Sequence, residues 1–316
     1  MNNKTLIVYH RVDFDGLFSA MIYHHRLKLN FPQTKIGLHG FNYGDPLLNP
    51  KQLKRNYSGI IILDVSFPSE YMKQLIDTFT LDNIVWIDHH ITAIRESIIH
   101  GYNNLQGFRC DDNSKSACEL TWEYCFPSEV YNKPKIIEYL SDSDIWNKHR
   151  YDWDNEILPC QHGLRAILGG MYIDPLIENP EKFLDSDFLE QQILPAGRII
   201  NAYLKIKWKT QIKHSAFDIT VAGKLKGIAI LSPDFSSAMF ESVIDQGYQV
   251  FCICNPKKDS PEEFSVSLYS EPDGRLGEFE LGEYMKKYYR GGGHPTAAGG
   301  KLNKKEFENL VFKNII

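Results

Sequence analysis

The 316-residue sequence lacks several patterns that define whole classes of proteins. No apolar run approaches the roughly 18 residues of a membrane span, and the apolar segment near the N-terminus is too short for a secretory leader. The six cysteines are scattered without a C-x-x-C pair, which excludes a disulfide scaffold and a cysteine-rich zinc site. These absences predict a cytoplasmic protein with reduced thiols, and its length is typical of two domains.

The sequence also has no overall excess of basic residues, because 35 Lys and Arg against 40 Asp and Glu give a net charge of −5. Such a chain does not attract nucleic acid over its whole surface. The C-terminal segment 285–316 is an exception, since it has seven Lys or Arg residues and only two Glu. This segment either holds an anionic substrate or forms a solvated charged face.

Short apolar runs alternate with amphipathic stretches in the first half of the chain. Strands are predicted at 5–9, 35–41, 59–65 and 83–88, and helices at 16–29, 68–79, 116–125 and 134–140. This alternation predicts an α/β domain with a mostly parallel sheet and helices on both faces. The stretch 151–184 is rich in Pro, Gly and Asp and is predicted to be less regular, and 188–212 is predicted to be a connector helix.

The pattern changes after about residue 214, where the predicted strands become closely spaced. Strands are predicted at 217–222, 226–231, 248–255 and 263–269, and helices at 236–245 and 277–289. This part predicts a smaller α/β domain with a mixed sheet. We therefore divide the chain into an N-terminal domain (1–186), a connector (187–213) and a C-terminal domain (214–316).

Four clusters of Asp and His follow predicted strands or helices. They are the segment 10–16 (HRVDFDG), Asp64, Asp88-His89-His90 and the segment 141–144 (SDSD). Because functional groups gather at the carboxyl ends of parallel strands, we expect the first three clusters to converge. A single Asp after a strand is usually a helix cap or a turn residue. Four clusters at such positions indicate a site instead.

Converging carboxylates repel one another at neutral pH, so positive charge must offset them. Asp oxygens and His nitrogens without a thiolate suit Mn²⁺ or a similar divalent ion. The clusters contain enough ligands for two such ions. Two ions about 3.5–4 Å apart can hold a bridging hydroxide and clamp a phosphoryl group.

The segment 290–300 (RGGGHPTAAGG) is rich in glycine and lies within the basic C-terminal end. Three consecutive glycines can expose backbone N–H groups as an anion-binding nest. Arg290 and His294 flank this nest with donors suited to phosphate. The spacing is not that of a Walker A loop, and a plain flexible loop is the alternative.

Together these motifs resemble the DHH superfamily of phosphoesterases with a following DHHA1 domain, over nearly the whole chain. Asp88-His89-His90 is similar to the motif that names the family, and Gly291-Gly292-Gly293-His294 to the DHHA1 substrate motif. The other matching residues are His10, Asp13, Asp15 and Gly16 in the first motif, Asp64 in the second and Asp142 in the fourth. The pattern is most similar to the nanoRNase-type oligoribonucleases.

The resemblance implies a role for each matching residue. His10, Asp13 and Asp64 would hold one metal ion, and Asp15, Asp64, His89 and Asp142 the other, with Asp144 left open in place of Asp142. His90 would face the substrate, and Asp88 would orient a histidine. Arg290, Gly291, Gly292, Gly293, His294 and Ser116 would bind the substrate. The active site would be a cleft between the two domains.

The implied activity is that of a metal-dependent phosphodiesterase that hydrolyses short single-stranded RNA or DNA to nucleoside monophosphates. A metal-bridged hydroxide would attack the phosphodiester, with two Mn²⁺ ions expected and Mg²⁺ or Co²⁺ as alternatives. Alternative substrates are linear or cyclic dinucleotides, 3′-phosphoadenosine phosphate and polyphosphate. A non-catalytic nucleotide sensor is a third hypothesis. No membrane partner is expected, and a homodimer is left open.

Overall fold

A computed structural model of the chain describes residues 4–234, 236–257, 260–271 and 273–316. The chain divides into two compact units, Met1–Asn201 and Ala202–Ile316. Each unit contains one β-sheet. The division into catalytic, connector and substrate-binding parts at residues 186 and 213 stays a prediction.

Strands and helices alternate between residues 4 and 100, helical segments follow up to residue 215, and the remaining strands lie in the second unit. The strands are β1 (Lys4–His10), β2 (Lys35–Phe41), β3 (Gly59–Leu63), β4 (Ile84–Ile87), β5 (Phe217–Val221), β6 (Leu225–Leu231), β7 (Val250–Lys257), β8 (Ser260–Tyr269), β9 (Gly292–Gly293) and β10 (Ala297–Asn303). The α-helices are α1 (Phe14–Asn30), α2 (Pro50–Asn56), α3 (Ser69–Phe79), α4 (Ile91–His100), α5 (Ala117–Cys125), α6 (Lys135–Asp144), α7 (Leu158–Leu168), α8 (Asp174–Glu178), α9 (Pro180–Leu184), α10 (Ser186–Phe188), α11 (Leu194–Ser215), α12 (Leu281–Tyr288) and α13 (Lys304–Lys313).

The first unit is built on a four-stranded parallel sheet in the order β2-β1-β3-β4. Ile7 and Ile61 point to one face of this sheet, and Val8 and Ile62 to the other, because side chains alternate along a strand. All four side chains are buried. Apolar residues on both faces are typical of a parallel sheet covered by helices. The predicted mixed α/β fold class is confirmed.

The stretch 151–184, predicted to be less regular, consists of short helical segments. The structure has a π-helix at Trp153–Ile157 and then helices α7, α8 and α9. Each of these three α-helices has a proline in its first turn. A proline there costs no hydrogen bond, because the first N–H groups of a helix have no partner within it. The prolines therefore begin these helices rather than interrupt them.

The second unit is built on a six-stranded mixed sheet in the order β5-β6-β7-β8-β10-β9. Only β6 and β7 run parallel, and the other neighbours are antiparallel. The predicted helix at 236–245 is a 3₁₀ helix at Ser237–Val243. The sequence prediction missed β10 and α13. Across the described ranges, no helix combines the length and the apolar character needed to cross a bilayer.

Candidate metal centre

Three strands of the parallel sheet end in side chains that carry charge. β1 ends at His10, β3 is followed by Asp64, and β4 is followed by Asp88. These ends lie at the same edge because the strands are parallel neighbours. Asp13 caps α1 at this edge, and its side chain accepts a hydrogen bond from Gly16 N at 2.9 Å. The sheet therefore brings the first three sequence clusters together, as predicted from their positions.

His10, Asp13 and Asp64 form the first group of closely spaced donors. His10 Nδ1 lies 2.6 Å from Asp13 Oδ2 and 3.6 Å from Asp64 Oδ2. One donor atom from each residue lies within 4.8 Å of the other two. Asp64 is buried, with 2% of its surface exposed, so its carboxylate is directed to this cluster rather than to solvent.

Asp15, His89 and Asp144 form a second group beside the first. His89 Nε2 lies 3.2 Å from Asp144 Oδ2 and 3.6 Å from Asp15 Oδ2. It also lies 3.4 Å from Asp64 Oδ1, which is the oxygen of Asp64 that the first group does not use. Asp64 therefore presents one carboxylate oxygen to each group. This is the arrangement that a carboxylate bridging two cations requires.

Asp15 is held in place by the N-terminus of α5. Its carboxylate accepts hydrogen bonds from Ser116 Oγ at 2.6 Å, Ala117 N at 2.9 Å and Cys118 N at 2.7 Å. Helix N-termini stabilise negative charge through their unpaired N–H groups. Ser116 is fully buried in this contact. In this structure the Ser116 hydroxyl positions Asp15, and substrate binding by Ser116 stays a prediction.

The structure does not bring Asp142 to the cluster. Arg150 Nε lies 3.1 and 2.9 Å from the two oxygens of the Asp142 carboxylate, and Asn147 Nδ2 donates to Oδ1 at 3.0 Å. Asp144, two residues later, lies beside His89 instead. Of the two carboxylates that the sequence left open for the fourth motif, the structure therefore places Asp144, and not the favoured Asp142, beside the cluster.

Asp88 and His90 form a further group of closely spaced donors with Asp64, and the direct contact of Asp88 within it is with His90. Asp88 Oδ1 lies 2.6 Å from His90 Nδ1 and accepts a hydrogen bond from His89 N at 2.8 Å. Asp88 Oδ2 accepts a hydrogen bond from Trp86 Nε1 at 3.1 Å. Asp88 is fully buried, whereas the side chain of His90 is 19% exposed. Asp88 thus fixes the His90 imidazole at the accessible side of the cluster.

The buried carboxylates of the cluster favour positive charge nearby, as the pKa values of their neighbours indicate. Burial and the charges of Asp64 and Asp144 raise the pKa of Asp15 well above its ordinary value. Burial would lower the pKa of His10, but its contacts with Asp13 and Asp64 raise that pKa to about 11. Burial likewise opposes protonation of His89, yet the surrounding carboxylates raise its pKa. The carboxylates therefore stabilise any cation placed among them.

The donor set fits divalent metal ions. The two groups sharing Asp64 offer carboxylate oxygens and imidazole nitrogens, and they include no thiolate. Oxygen and nitrogen donors of this kind suit Mn²⁺, Mg²⁺ and similar ions. Two of the carboxylates are also held by hydrogen bonds. Asp13 accepts one from Gly16 N, and Asp15 accepts one from Ser116 Oγ. Such supporting contacts orient ligands at metal sites.

The glycine-rich segment is ordered by strand pairing within the second unit. Gly292 and Gly293 form β9, which pairs with β10. A Cβ on Gly291 would lie 1.9 Å from Gly299 O, so close backbone packing explains this glycine. Arg290 lies 3.8 Å from a Glu263 oxygen and 3.6 Å from a Glu306 oxygen. Substrate binding by the predicted set stays a prediction (Arg290, Gly291, Gly292, Gly293 and His294).

Sequence reasoning missed two residues of the loop after β2. Asn42 Oδ1 lies 3.4 Å from His10 Nε2, and the ring of Tyr43 contacts the rings of His10 and His90. Neither residue belongs to an acidic or histidine cluster. The available signal was their position, because a loop at the carboxyl end of β2 lies at the same sheet edge as the other clusters.

Comparison with protein-family models gives no match, and comparison with curated protein sequences gives none. Solved structures do share the fold. A DHH domain from a member of the s1p family of ribosomal proteins aligns with a TM-score of 0.59 at 12% identity, covering 98% of this chain and 84% of that one. At this identity the likeness establishes the fold alone, which is that of a DHH-domain structure.

Two other solved structures align with lower TM-scores. A pGpG-specific phosphodiesterase, PggH from Vibrio cholerae, aligns with a TM-score of 0.47 at 14% identity, covering 98% of this chain and 96% of that one. RecJ from Thermus thermophilus, in complex with Mn²⁺, aligns with a TM-score of 0.47 at 13% identity, covering 97% of this chain and 50% of that one.

Proposed function

We propose that this chain is a metal-dependent phosphodiesterase of the DHH superfamily that hydrolyses short oligonucleotides to nucleoside monophosphates. The observation that carries the proposal is the position of Asp64, whose two carboxylate oxygens face two separate His and Asp groups. A bridging carboxylate of this kind is what a pair of catalytic cations needs. The DHH fold of the solved neighbour supports the family assignment.

The ligands proposed for one ion are His10, Asp13 and Asp64. Those proposed for the other are Asp15, Asp64, His89 and Asp144. When bound, two divalent ions lower the pKa of coordinated water and neutralise the charge of a phosphoryl group. We propose Mn²⁺ first, with Mg²⁺ or Co²⁺ as alternatives, because the donors mix oxygen with nitrogen.

The protein's own part in the reaction centres on His90. Asp88 Oδ1 lies 2.6 Å from Nδ1 of this histidine, which fixes the ring, and the contact raises the pKa of His90 although burial opposes it. A protonated imidazole held in this way can donate its Nε2 proton to the leaving oxygen of a phosphodiester. His90 is thus proposed as the general acid, and Asp88 as the residue that positions it.

The substrate is proposed as short single-stranded RNA or DNA. A net charge of −5 suits a short substrate better than a long duplex, which requires an extended basic surface. Dinucleotides, 3′-phosphoadenosine phosphate and polyphosphate remain the competing substrates for the same chemistry. The cytoplasmic location and the homodimer stay predictions.

The test is hydrolysis of a panel of di- to pentanucleotides beside polyphosphate, with and without added Mn²⁺. We expect Mn²⁺-dependent release of nucleoside monophosphates, detected by chromatography. Release from polyphosphate alone would refute the oligonucleotide proposal.

The same assay on Asp64→Asn distinguishes an enzyme from a nucleotide sensor. An enzyme should lose at least a thousandfold in kcat/KM, whereas a sensor should show no turnover in either form. The matched control is Asp82→Asn, because Asp82 is an exposed carboxylate in the short 3₁₀ helix Leu81–Asn83 and should leave turnover unchanged. A fully active Asp64→Asn variant would remove the observation on which the proposal depends.

A further inference from the structure

The loop that follows β2 is a fixed turn rather than a loose connection. Asp45 N donates to Asn42 O at 2.9 Å, and Asn42 N donates to Asp45 Oδ2 at 2.8 Å. Arg11 forms an ion pair with Asp45 and donates to Gly40 O at 3.3 Å. These contacts join the turn to the ends of β1 and β2, so they restrict the one aromatic residue within it.

That residue is Tyr43, and its ring is anchored on two sides. Ser66 N donates to the Tyr43 hydroxyl at 3.2 Å, and Ser66 Oγ lies 3.2 Å from the same oxygen. The ring packs against the buried Phe41 at a centroid distance of 6.2 Å and an angle of 81°. Tyr43 is nevertheless 47% exposed. Tyr43 is therefore held in place while nearly half of its surface faces solvent.

The Tyr43 ring lies beside the candidate metal centre. Its centroid is 5.5 Å from that of the His10 ring, with an angle of 60° between the rings. The corresponding values for His90 are 6.0 Å and 72°. Both contacts are edge-to-face, so the histidines contact the ring without stacking on it. The half-exposed Tyr43 is thus adjacent to the place where a phosphate would meet the cations.

We infer that Tyr43 is a stacking platform for the nucleobase attached to the reacting phosphate. The inference rests on the proposed function and narrows its substrate class to phosphoesters that carry a base. An aromatic face stacks on any base, so such a platform is tolerant of sequence and suits mixed oligonucleotides. Polyphosphate has no base and would gain nothing from this ring.

The experiment measures binding of adenosine 5′-monophosphate and of ribose 5-phosphate to the Mn²⁺-loaded protein by calorimetry. Wild type should bind the nucleotide roughly 5- to 150-fold more tightly than the sugar phosphate, which is the factor expected from base–aromatic stacking. Tyr43→Leu should abolish most of this preference. Tyr43→Phe should retain it, because the ring remains when the hydroxyl is removed.

Two controls separate stacking from a structural role. Phe31→Leu removes an exposed aromatic ring just beyond the C-terminal end of α1, about 25 Å along that 17-residue helix from the centre, and should leave both affinities unchanged. Mn²⁺ affinity is measured for every variant, because a ring that only positions His10 or His90 would change it. A Tyr43→Leu variant that weakens nucleotide and sugar phosphate equally would overturn the inference.

Failure of the Tyr43 inference can be distinguished from failure of the proposed function. Base-dependent binding that requires the ring, without any hydrolysis, would support the platform and contradict the proposed function. Hydrolysis of oligonucleotides by a wild type that binds both ligands equally would support the function and overturn the platform.

Discussion

Replacing Arg150 by methionine should destabilise the first unit, because this side chain is the cation between two buried carboxylates. Its guanidinium lies 2.9 Å from an Asp142 oxygen and 3.3 Å from a Glu119 oxygen. The Asp142 side chain is fully buried and that of Glu119 is 2% exposed, so neither carboxylate is hydrated. Burial raises the pKa of Asp142, and Arg150 limits the rise.

The size of the expected loss in stability depends on which hydrogen-bonding and charged partners each carboxylate retains in Arg150→Met. Glu119 retains Lys133, whose Nζ lies 2.5 Å from its Oε1. Asp142 retains only the amide of Asn147 among the side-chain partners described above. Leaving one buried charge without its cation costs about 3–5 kcal/mol, and the partial exposure of Arg150 favours the lower end. A loss of about 3 kcal/mol corresponds to a fall in Tm of roughly 6–12 °C for a unit of this size.

The assay is urea unfolding followed by circular dichroism, with the free energy of unfolding obtained by linear extrapolation. Arg150→Lys keeps the positive charge but not the planar guanidinium that binds a carboxylate through two N–H groups. It should therefore lose about half as much stability as Arg150→Met. Arg55→Met, at an exposed position of α2, should change stability by less than about 0.5 kcal/mol. Asp142→Asn combined with Arg150→Met should recover much of the loss. A single Arg150→Met variant as stable as the control would refute this reasoning.

Three further predictions concern packing, pH and the ligand shell. Gly197→Ala should cost about 1–3 kcal/mol in the same urea unfolding assay, because its Cβ would lie 1.8 Å from a backbone oxygen of α7. Gly299→Ala should cost less, because the nearest atom to its Cβ would be 3.9 Å away. Burial and Arg165 lower the pKa of His162 to about 4, below the unfolded value of 6.5. The free energy of unfolding should therefore fall by up to about 3 kcal/mol as the pH drops from 6.5 to 4. His162→Gln should flatten this part of the curve of stability against pH. Ser116→Ala should weaken Mn²⁺ binding measured by calorimetry, since Asp15 loses a 2.6 Å hydrogen bond and keeps only its two backbone donors. The lost hydrogen bond contributes about 1–3 kcal/mol. An unchanged Mn²⁺ affinity would contradict the positioning role of Ser116.

The parallel sheet could be predicted from sequence because its signals are local and strong. The five-residue run of β3 is apolar throughout, and β2 occupies the predicted range 35–41. Prediction failed where the chain depends on distant partners. The strand β10 contains two glycines and two alanines, a composition that disfavours a strand by itself. Its pairing with β8 and β9 stabilises it, and no local pattern reveals that pairing.

The same distinction applies to the candidate site. Side chains at strand ends, such as His10, Asp64 and His89, could be predicted because a parallel sheet brings its carboxyl ends to one edge. The contacts of Tyr43 with His10 and His90, and that of Ser116 with Asp15, could not be predicted, since they depend on residues far apart in sequence. The Ser116 hydroxyl lies 101 positions from Asp15 in sequence and only 2.6 Å from it in the fold. No local sequence pattern reveals such a contact.

The choice between Asp142 and Asp144 shows which further signal the sequence contained. Successive residues of an α-helix are turned by about 100°, so residues two apart point about 200° apart. At most one of these two carboxylates can therefore face the cluster, and the other must face an opposite neighbour. Asp142 faces Arg150, a cation eight residues later, and α6 thereby turns Asp144 toward His89. A basic residue shortly after the helix, such as Arg150, thus indicates which of the two carboxylates forms an ion pair and which one is left to face the cluster. The two carboxylates should therefore respond differently to the same substitution. Asp144→Asn should weaken Mn²⁺ binding at least tenfold, whereas Asp142→Asn should lower stability with a smaller change in Mn²⁺ affinity.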